Sequence, residues 1–173
     1  DFPFNRSGSD DLLFFGRIHP DKGASEAIEA ARRAGRRLIM AGIIQDQEYH
    51  REYIAPALDD RTVVYRGPVG GEDRTNILGS ACALLHLVNF NEPFGLSVVE
   101  ALASGTPVIA SNRGSMPELI DHGVTGFLVD SIDEAPRSHL TLTRPAIGCF
   151  LSHLAVWRWV LSTNLARVLV LED

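Results

Sequence analysis

The chain has 173 residues, of which 45% are hydrophobic, and a formal net charge of −6 at pH 7. This length suits a single domain with a real core, and the hydrophobic content argues against disorder. The mild acidity argues against a nucleic-acid binder, which normally carries a basic patch. Two distant cysteines, Cys82 and Cys149, do not form a CxxC pattern, and we interpret them as buried thiols compatible with a reducing compartment.

Short apolar runs alternate with helical patterns along most of the chain. Strands are predicted over residues 12–15, 38–41, 62–65, 82–87, 107–110 and 127–129. Helices are predicted from 24 to the residue before Gly35, over 46–57 and 72–79, from the Glu92 loop to about Ser104, and over 116–120. No apolar run approaches the roughly 20 residues of a membrane span. The chain begins at Asp1, so we expect a segment of a longer protein.

The order of these elements predicts a Rossmann-like, doubly wound parallel α/β sheet. The strands are apolar rather than alternating, which is typical of a sheet covered on both faces. Ligands of such sheets bind at the carboxyl ends of the strands. The loops 17–23, 67–71, 89–95 and 112–115 all follow strands, and glycines and charges collect in them.

Two carboxylates, Glu92 and Glu100, flank a Glu-Pro-Phe-Gly turn and the start of a helix. The first turn of a helix leaves N–H groups unpaired, so it can receive an anion. Hydroxyl groups of the same ligand could bind the two carboxylates, as in a nucleotide sugar. An acid–base pair, a metal site and, for Glu100, a solvated helix charge are the alternatives. A metal site would need more carboxylates or a histidine nearby, and we predict none.

Arg17 and Lys22 are the cations of the first loop. They could clamp a diphosphate, or they could be solvated surface charges. His86 lies in a predicted strand and is interpreted as a satisfied core histidine. The GxGxxG and GxxxxGK[ST] patterns are both absent, which disfavours a dehydrogenase or an NTPase.

Several motifs in order resemble the C-terminal half of the family-four retaining glycosyltransferases, which have the GT-B fold. The similarity covers about residues 12–134 and is carried by Phe15-Gly16-Arg17-Ile18, Lys22-Gly23, the segment from Glu92-Pro93-Phe94-Gly95-Leu96 to Ala110, the segment 114–120 and the segment 123–129.

The resemblance implies roles for these residues. Arg17 and Lys22 would neutralise the donor diphosphate, and together with Glu92 they form the implied catalytic set. Glu100 would hold the ribose hydroxyls. The loop from Arg66 to Val69 would lie against the base. The implied substrate-binding set is Gly16, Arg17, Lys22, Gly67, Pro68, Val69, Glu92, Phe94, Gly95, Leu96 and Glu100. The family pattern implies no metal and no cofactor, because the nucleoside-diphosphate sugar is the donor substrate.

The tail resembles a different family. Residues 142–157 and 166–173 are similar to part of the family-twenty-five, lipopolysaccharide-type glycosyltransferases, whose acidic motif would begin at Glu172-Asp173. We therefore expect a donor-binding domain over residues 1–134 and a helix-strand extension over residues 135–173. An apolar stripe in that extension would favour self-association if it were exposed.

These observations predict a glycosyltransferase donor-binding domain in polysaccharide or glycoconjugate synthesis. A complete GT-B enzyme also has an N-terminal acceptor domain, which we expect as the partner of this domain. The alternative is a recombined fragment that binds a nucleotide sugar without catalysis. The resemblance implies a cytoplasmic location, with the full-length protein at the inner face of a membrane as a second option.

Overall fold

The computed structural model describes residues 9–135. Its centre is a six-stranded parallel sheet in the order β3-β2-β1-β4-β5-β6. The strands are β1 (Leu12–Phe15), β2 (Leu38–Ala41), β3 (Val63–Tyr65), β4 (Ala83–His86), β5 (Val108–Ser111) and β6 (Gly126–Val129). The strand order reverses between β1 and β4, which places the switch point of the sheet, and the expected ligand crevice, beside these two strands.

Five α-helices connect the strands: α1 (Ala24–Ala34), α2 (Gln47–Tyr49), α3 (Gly71–Ser80), α4 (Leu96–Ala103) and α5 (Met116–Leu119). The predicted helix over 46–57 is continuous in the chain but changes type, because a π-helical turn (His50–Ile54) and a 3₁₀ turn (Ala55–Ala57) follow α2. Pro56 cannot donate a backbone hydrogen bond, which is consistent with the change at this point. Gly35 ends α1 in the left-handed conformation, as predicted.

The core consists of one apolar cluster on each face of the sheet. Leu12 and Phe14 of β1 face the cluster that contains the apolar side of α1, whereas Leu13 faces the cluster that contains α4. Successive residues of a strand point to opposite faces, so a sheet covered on both sides needs an apolar residue at every position. The burial explains why the strands are apolar rather than alternating.

The predicted doubly wound fold is confirmed: β1 and β2 have the predicted bounds, and no end of the other four strands differs from its prediction by more than one residue. Cys82 is only half-buried and has a free thiol, so its predicted full burial was wrong. Cys149 and the predicted helix-strand extension lie outside the described residues. Within residues 9–135, none of the helices is both long and apolar enough to cross a membrane.

Candidate functional site

A cavity of about 310 Å³ lies at the carboxyl ends of β1 and β4. The loop after β1, the loop after β4 and the start of α4 all contribute to its wall. Six of the residues predicted to bind substrate line it: Gly16, Arg17, Lys22, Glu92, Gly95 and Leu96. The topology therefore brings together residues up to 80 positions apart in sequence, as expected for the switch point of this sheet.

Lys22 and Glu92 form an ion pair inside this cavity. The Lys22 Nζ lies 2.5 Å from Glu92 Oε2, and the two side chains are only 16% and 13% exposed. The ring of Phe90 lies beneath the ammonium group, with 4.5 Å between Nζ and the ring centroid. Lys22 is thus held by a carboxylate and an aromatic face, which together compensate for its loss of hydration.

Backbone hydrogen bonds fix the two loops that carry this pair. The Asn89 amide donates to the Asp21 carbonyl at 2.9 Å, which ties the loop after β4 to the loop after β1. The backbone amide and the hydroxyl of Ser115 donate to the Glu92 carbonyl at 2.9 and 3.0 Å. Glu92 is therefore positioned by its main chain from one side and by Lys22 from the other.

The N-terminus of α4 faces the cavity through Gly95 and Leu96. Gly95 has a φ of +79°, and a Cβ at this position would lie 2.5 Å from the terminal methyl carbon of Met116. No side-chain hydrogen bond caps α4, and the Val98 amide donates to the Gly95 carbonyl at 2.9 Å, so the amides that precede Val98 are the ones available to an anionic ligand. Phe94 and Leu96 are each 57% exposed, although Phe94 does not line the cavity.

Arg74 is a cavity residue that the sequence analysis missed. Its Nε donates to Glu100 Oε2 at 3.0 Å, and its Nη2 contacts the same oxygen. The guanidinium also lies over the Phe15 ring, 5.4 Å from the centroid. Arg74 lines the cavity, whereas Glu100, which is 8% exposed, does not. The position of Arg74 at the start of a helix that follows a strand was the signal that could have revealed it.

The structure separates Arg17 from the loop at Gly67, Pro68 and Val69. Arg17 lines the cavity, and its Nη1 donates to Gln45 Oε1 at 2.6 Å. The Gly67 carbonyl accepts a hydrogen bond from the Gly42 amide at 2.9 Å, and none of the three loop residues lines the cavity.

His86 ends β4 and lines the cavity beside Glu92. It is buried as predicted, but its Nε2 has no hydrogen-bond partner, so the interpretation as a satisfied core histidine was wrong. The distance from Nε2 to Glu92 Oε2 is 3.9 Å, which is too long for a hydrogen bond. The pKa of His86 is lowered to about 4, mainly by burial, with Glu92 opposing the change and Lys22 adding to it. The imidazole is consequently neutral near pH 7.

Within residues 9–135, no group of three or more His, Cys, Asp or Glu side chains could hold a metal ion. Two cations of the cavity, Lys22 and Arg74, instead pair with the carboxylates of Glu92 and Glu100. Such a site offers cations to an anionic ligand and carboxylates to hydroxyl groups, provided that the ligand replaces the internal pairing.

Comparison with known proteins gives several similar glycosyltransferases. A glycogen synthase of Mycobacterium tuberculosis is 36% identical over 132 residues, which cover 70% of this chain and 30% of that protein. The chain thus spans about a third of the length of the curated relatives it matches. A glycosyltransferase involved in avilamycin A biosynthesis has a crystal structure with a TM-score of 0.72 and 34% identity, covering 90% of this chain and 50% of that chain.

Two further solved structures share the architecture. The C-terminal domain of LpcC, a glycosyl transferase group 1 family protein from Francisella tularensis, has a TM-score of 0.66 at 25% identity, covering 79% of this chain and 82% of that chain. Anabaena HepE in complex with UDP and glucose has a TM-score of 0.72 at 22% identity, covering 90% of this chain and 48% of that chain, and its likeness shows the fold alone. These neighbours confirm the predicted Rossmann-like GT-B type of fold.

Two families match successive parts of the sequence. The family described as glycosyltransferase family 25 (LPS biosynthesis protein) matches residues 127–173, most of which lie outside the described residues. The family described as glycosyl transferases group 1 matches residues 2–136, which is more than half of the chain and includes the whole cavity. The chain belongs to the glycosyl transferases group 1 family.

Proposed function

We propose that residues 1–134 are the donor-binding half of a family-four retaining glycosyltransferase and bind a nucleoside-diphosphate sugar. The observation that carries this proposal is the pairing of Lys22 with Glu92 and of Arg74 with Glu100 at one cavity, beside an uncapped helix N-terminus. A diphosphate supplies the charge that Lys22, Arg17 and the amides bind. Sugar and ribose hydroxyls supply donors for the carboxylates.

In the proposed complex, Arg17 and Lys22 neutralise the diphosphate together with the amides at Gly95 and Leu96. Glu92 binds the sugar, and Glu100 binds the ribose. Because Glu100 lies behind Arg74, its binding to ribose requires the Arg74 guanidinium to move aside. The base would contact the loop at Gly67, Pro68 and Val69 only if the bound nucleotide sugar extended beyond the cavity.

The proposed reaction breaks the bond between the anomeric carbon of the sugar and the diphosphate oxygen. The acceptor hydroxyl oxygen bonds to that carbon on the same face, and its proton passes to the departing phosphate. Charge accumulates on the leaving group, so preorganised cations and amides are the main catalytic contribution of this domain. Arg17, Lys22 and Glu92 are the residues assigned to this step.

The partners and the location follow from the same proposal. We propose an N-terminal acceptor domain as the partner, because the chain matches 30% of the glycogen synthase and most of an isolated C-terminal domain. We also propose a cytoplasmic location, with peripheral membrane association of the full-length protein as the second option. From the resemblance of the tail to family twenty-five, we propose that the full-length protein also contains a second glycosyltransferase.

A catalytically inactive, recombined nucleotide-sugar-binding fragment is the second candidate. The succession of two families along one chain favours it, since their matches overlap only at residues 127–136. It predicts nucleotide binding without sugar transfer or donor hydrolysis. Measurable transfer by the isolated chain would exclude this candidate.

A thermal-shift experiment with UDP, GDP, ADP and their glucose conjugates tests the proposal. We expect at least one of them to raise the melting temperature, and Arg17→Ala or Glu100→Ala to abolish the increase. Arg36→Ala is the matched control, because Arg36 forms its ion pair with Asp10 at 3.0 Å and does not line the cavity. Absence of any shift across the panel would refute the donor-site assignment.

A further inference from the structure

The side chain of His86 is more than nine-tenths buried at the cavity, and its Nε2 is inaccessible and unpartnered. An unsatisfied polar group in such a place costs about 1–3 kcal/mol. A hydrogen bond that forms in another state of the protein would explain why the group is present. The carboxylate of Glu92 lies close by, with 3.9 Å between its Oε2 and the His86 Nε2. Lys22 already holds that same oxygen at 2.5 Å.

The distances leave His86 close enough to hydrogen-bond Glu92 after a small movement of the carboxylate. An N–H···O hydrogen bond to a carboxylate has a length of about 2.7–3.0 Å, so a shift of roughly 1 Å would close the gap. Glu92 makes its backbone contact to Ser115 through its carbonyl, which leaves the side chain able to rotate about its own bonds. The carboxylate can therefore change partners while its loop stays fixed.

We propose that His86 is a positioning residue that hydrogen-bonds Glu92 when Lys22 turns from Glu92 to an anionic ligand. The proposal rests on the proposed function in one respect, which is that the ligand is a nucleoside diphosphate. The Nε2–H of the neutral imidazole donates, and Glu92 Oε2 accepts. The exchange keeps the carboxylate oriented toward the sugar hydroxyls instead of leaving it unpaired.

Glu92 needs a new hydrogen-bond partner when Lys22 leaves it, because an unpaired buried carboxylate is costly. Glu92 is 13% exposed, and loss of one partner from a largely buried ion pair leaves a charge that is costly to desolvate. A hydrogen bond to a charged group recovers about 1.5–3 kcal/mol. Glu92 and Lys22 are the charged groups that act on His86, so departure of the Lys22 ammonium removes one of the effects that lower the pKa of His86.

The stability of four variants tests this exchange without any ligand. His86→Leu alone removes an unpartnered atom, so we expect an unchanged or higher melting temperature. In the Lys22→Met background, where His86 has become the partner of Glu92, the same substitution should lower it by about 4 °C or more. Additive effects of Lys22→Met and His86→Leu would overturn the proposal. Lys22→Gln is the second background, should Lys22→Met fail to fold.

His50 provides a matched control in the same chain. Its Nε2 is likewise buried without a partner, but His50 does not line the cavity. His50→Leu should therefore have the same effect with and without Lys22. A ¹⁵N spectrum of the histidine rings gives a second readout at pH 7.5. Lys22→Met should shift the His86 Nε2 resonance and leave that of His50 in place, whereas an unmoved His86 resonance would overturn the proposal.

Nucleotide binding completes the test with UDP, GDP and ADP as probes. His86→Leu should weaken binding about tenfold, His86→Gln should restore part of the loss because it keeps an N–H donor, and His50→Leu should have no effect. Equal binding by His86→Leu and the natural chain would overturn the proposal for the donor complex. If none of the three nucleotides binds the natural chain, the proposed function fails, while the variant stabilities and the spectrum still decide the role of His86.

Discussion

Each carboxylate predicted to bind the donor already has a cation as its partner. Glu92 is held by Lys22 and Glu100 by Arg74. A bound donor would therefore replace the cations that now pair with these carboxylates, rather than bind to carboxylates that are unpaired. Breaking these internal ion pairs reduces the net affinity for the donor. It also favours a ligand with both phosphates and hydroxyls, because only such a ligand offers new partners to the cations and to the carboxylates.

Arg74→Met tests this exchange at Glu100. Loss of the guanidinium leaves the largely buried Glu100 unpaired, so we expect the free protein to lose about 3 kcal/mol of unfolding free energy in chemical denaturation. The nucleotide-induced rise in melting temperature should become larger than in the natural chain, because ribose hydroxyls no longer compete with Arg74. A smaller rise would instead mean that Arg74 itself contacts the nucleotide. Arg36→Ala again serves as the control.

His86 also predicts how stability depends on pH. Its folded pKa of about 4 lies below its ordinary value of 6.5, so the unfolded chain takes up the proton first as pH falls. The free energy of unfolding should therefore decrease between pH 6.5 and 4, by about 3 kcal/mol from this residue, and the loss is absent above pH 6.5.

Denaturation at pH 7.5 and pH 4.5 measures this contribution. His86→Leu and His86→Gln should both show a smaller loss of stability than the natural chain between the two pH values, since neither can titrate. Equal losses in all three proteins would show that His86 contributes nothing to the dependence. Agreement between the two variants separates titration from the polarity of the side chain.

At the scale of elements, the loop that carries Glu92 depends on close backbone contact with the loop after β5. Gly114 has a φ of +61°, and a Cβ there would lie 2.4 Å from the Glu92 carbonyl oxygen. The neighbouring Ser115 donates two hydrogen bonds to that oxygen. The contact therefore needs a glycine for space as well as for its backbone conformation.

Gly114→Ala should disturb both stability and the site. Gly35→Ala is the matched control, because Gly35 has a φ of +62° and open space around the position of a Cβ. The control should lose about 1–2 kcal/mol from the left-handed conformation alone. Gly114→Ala should lose more and should also reduce nucleotide protection. Equal losses of unfolding free energy in the two variants would contradict the role of this contact.

At the scale of the whole molecule, the domain organisation rests on the sheet and the two core clusters that the structure describes. All six strands and both core clusters lie within residues 9–135. The match to the glycosyl transferases group 1 family ends at residue 136, and the domain boundary expected at about residue 134 stays a prediction.

Truncation after Ala135 tests the boundary. We expect residues 1–135 to fold cooperatively and to keep the full nucleotide-induced rise in melting temperature. Size measurements on the two proteins test the predicted self-association, which the truncated chain should lose. A truncated chain that fails to fold would show that the tail is part of the domain. The full chain, measured at the same concentration, is the reference.

The sequence alone determined the order of the elements, the fold class and half of the residues that line the cavity. Periodicity identifies buried strands and amphipathic helices locally, and the right-handed connection of parallel strands then leaves few topologies. Glu92, Lys22 and Gly95 could be assigned to one edge of the sheet because all follow strands. The type of the helix after Asp46 could not be predicted, since π and 3₁₀ turns depend on packing and on small differences in backbone energy.

Only the tertiary structure decided which charges meet. The pairing of Arg74 with Glu100 joins residues 26 positions apart, and Lys22 pairs with Glu92 across 70 positions. Such pairs depend on distances and on exclusion of water, neither of which a local pattern encodes. The unpartnered Nε2 of His86 was hidden for the same reason. A strand position predicts burial, but whether a buried imidazole finds a partner is settled by the three-dimensional arrangement of its neighbours.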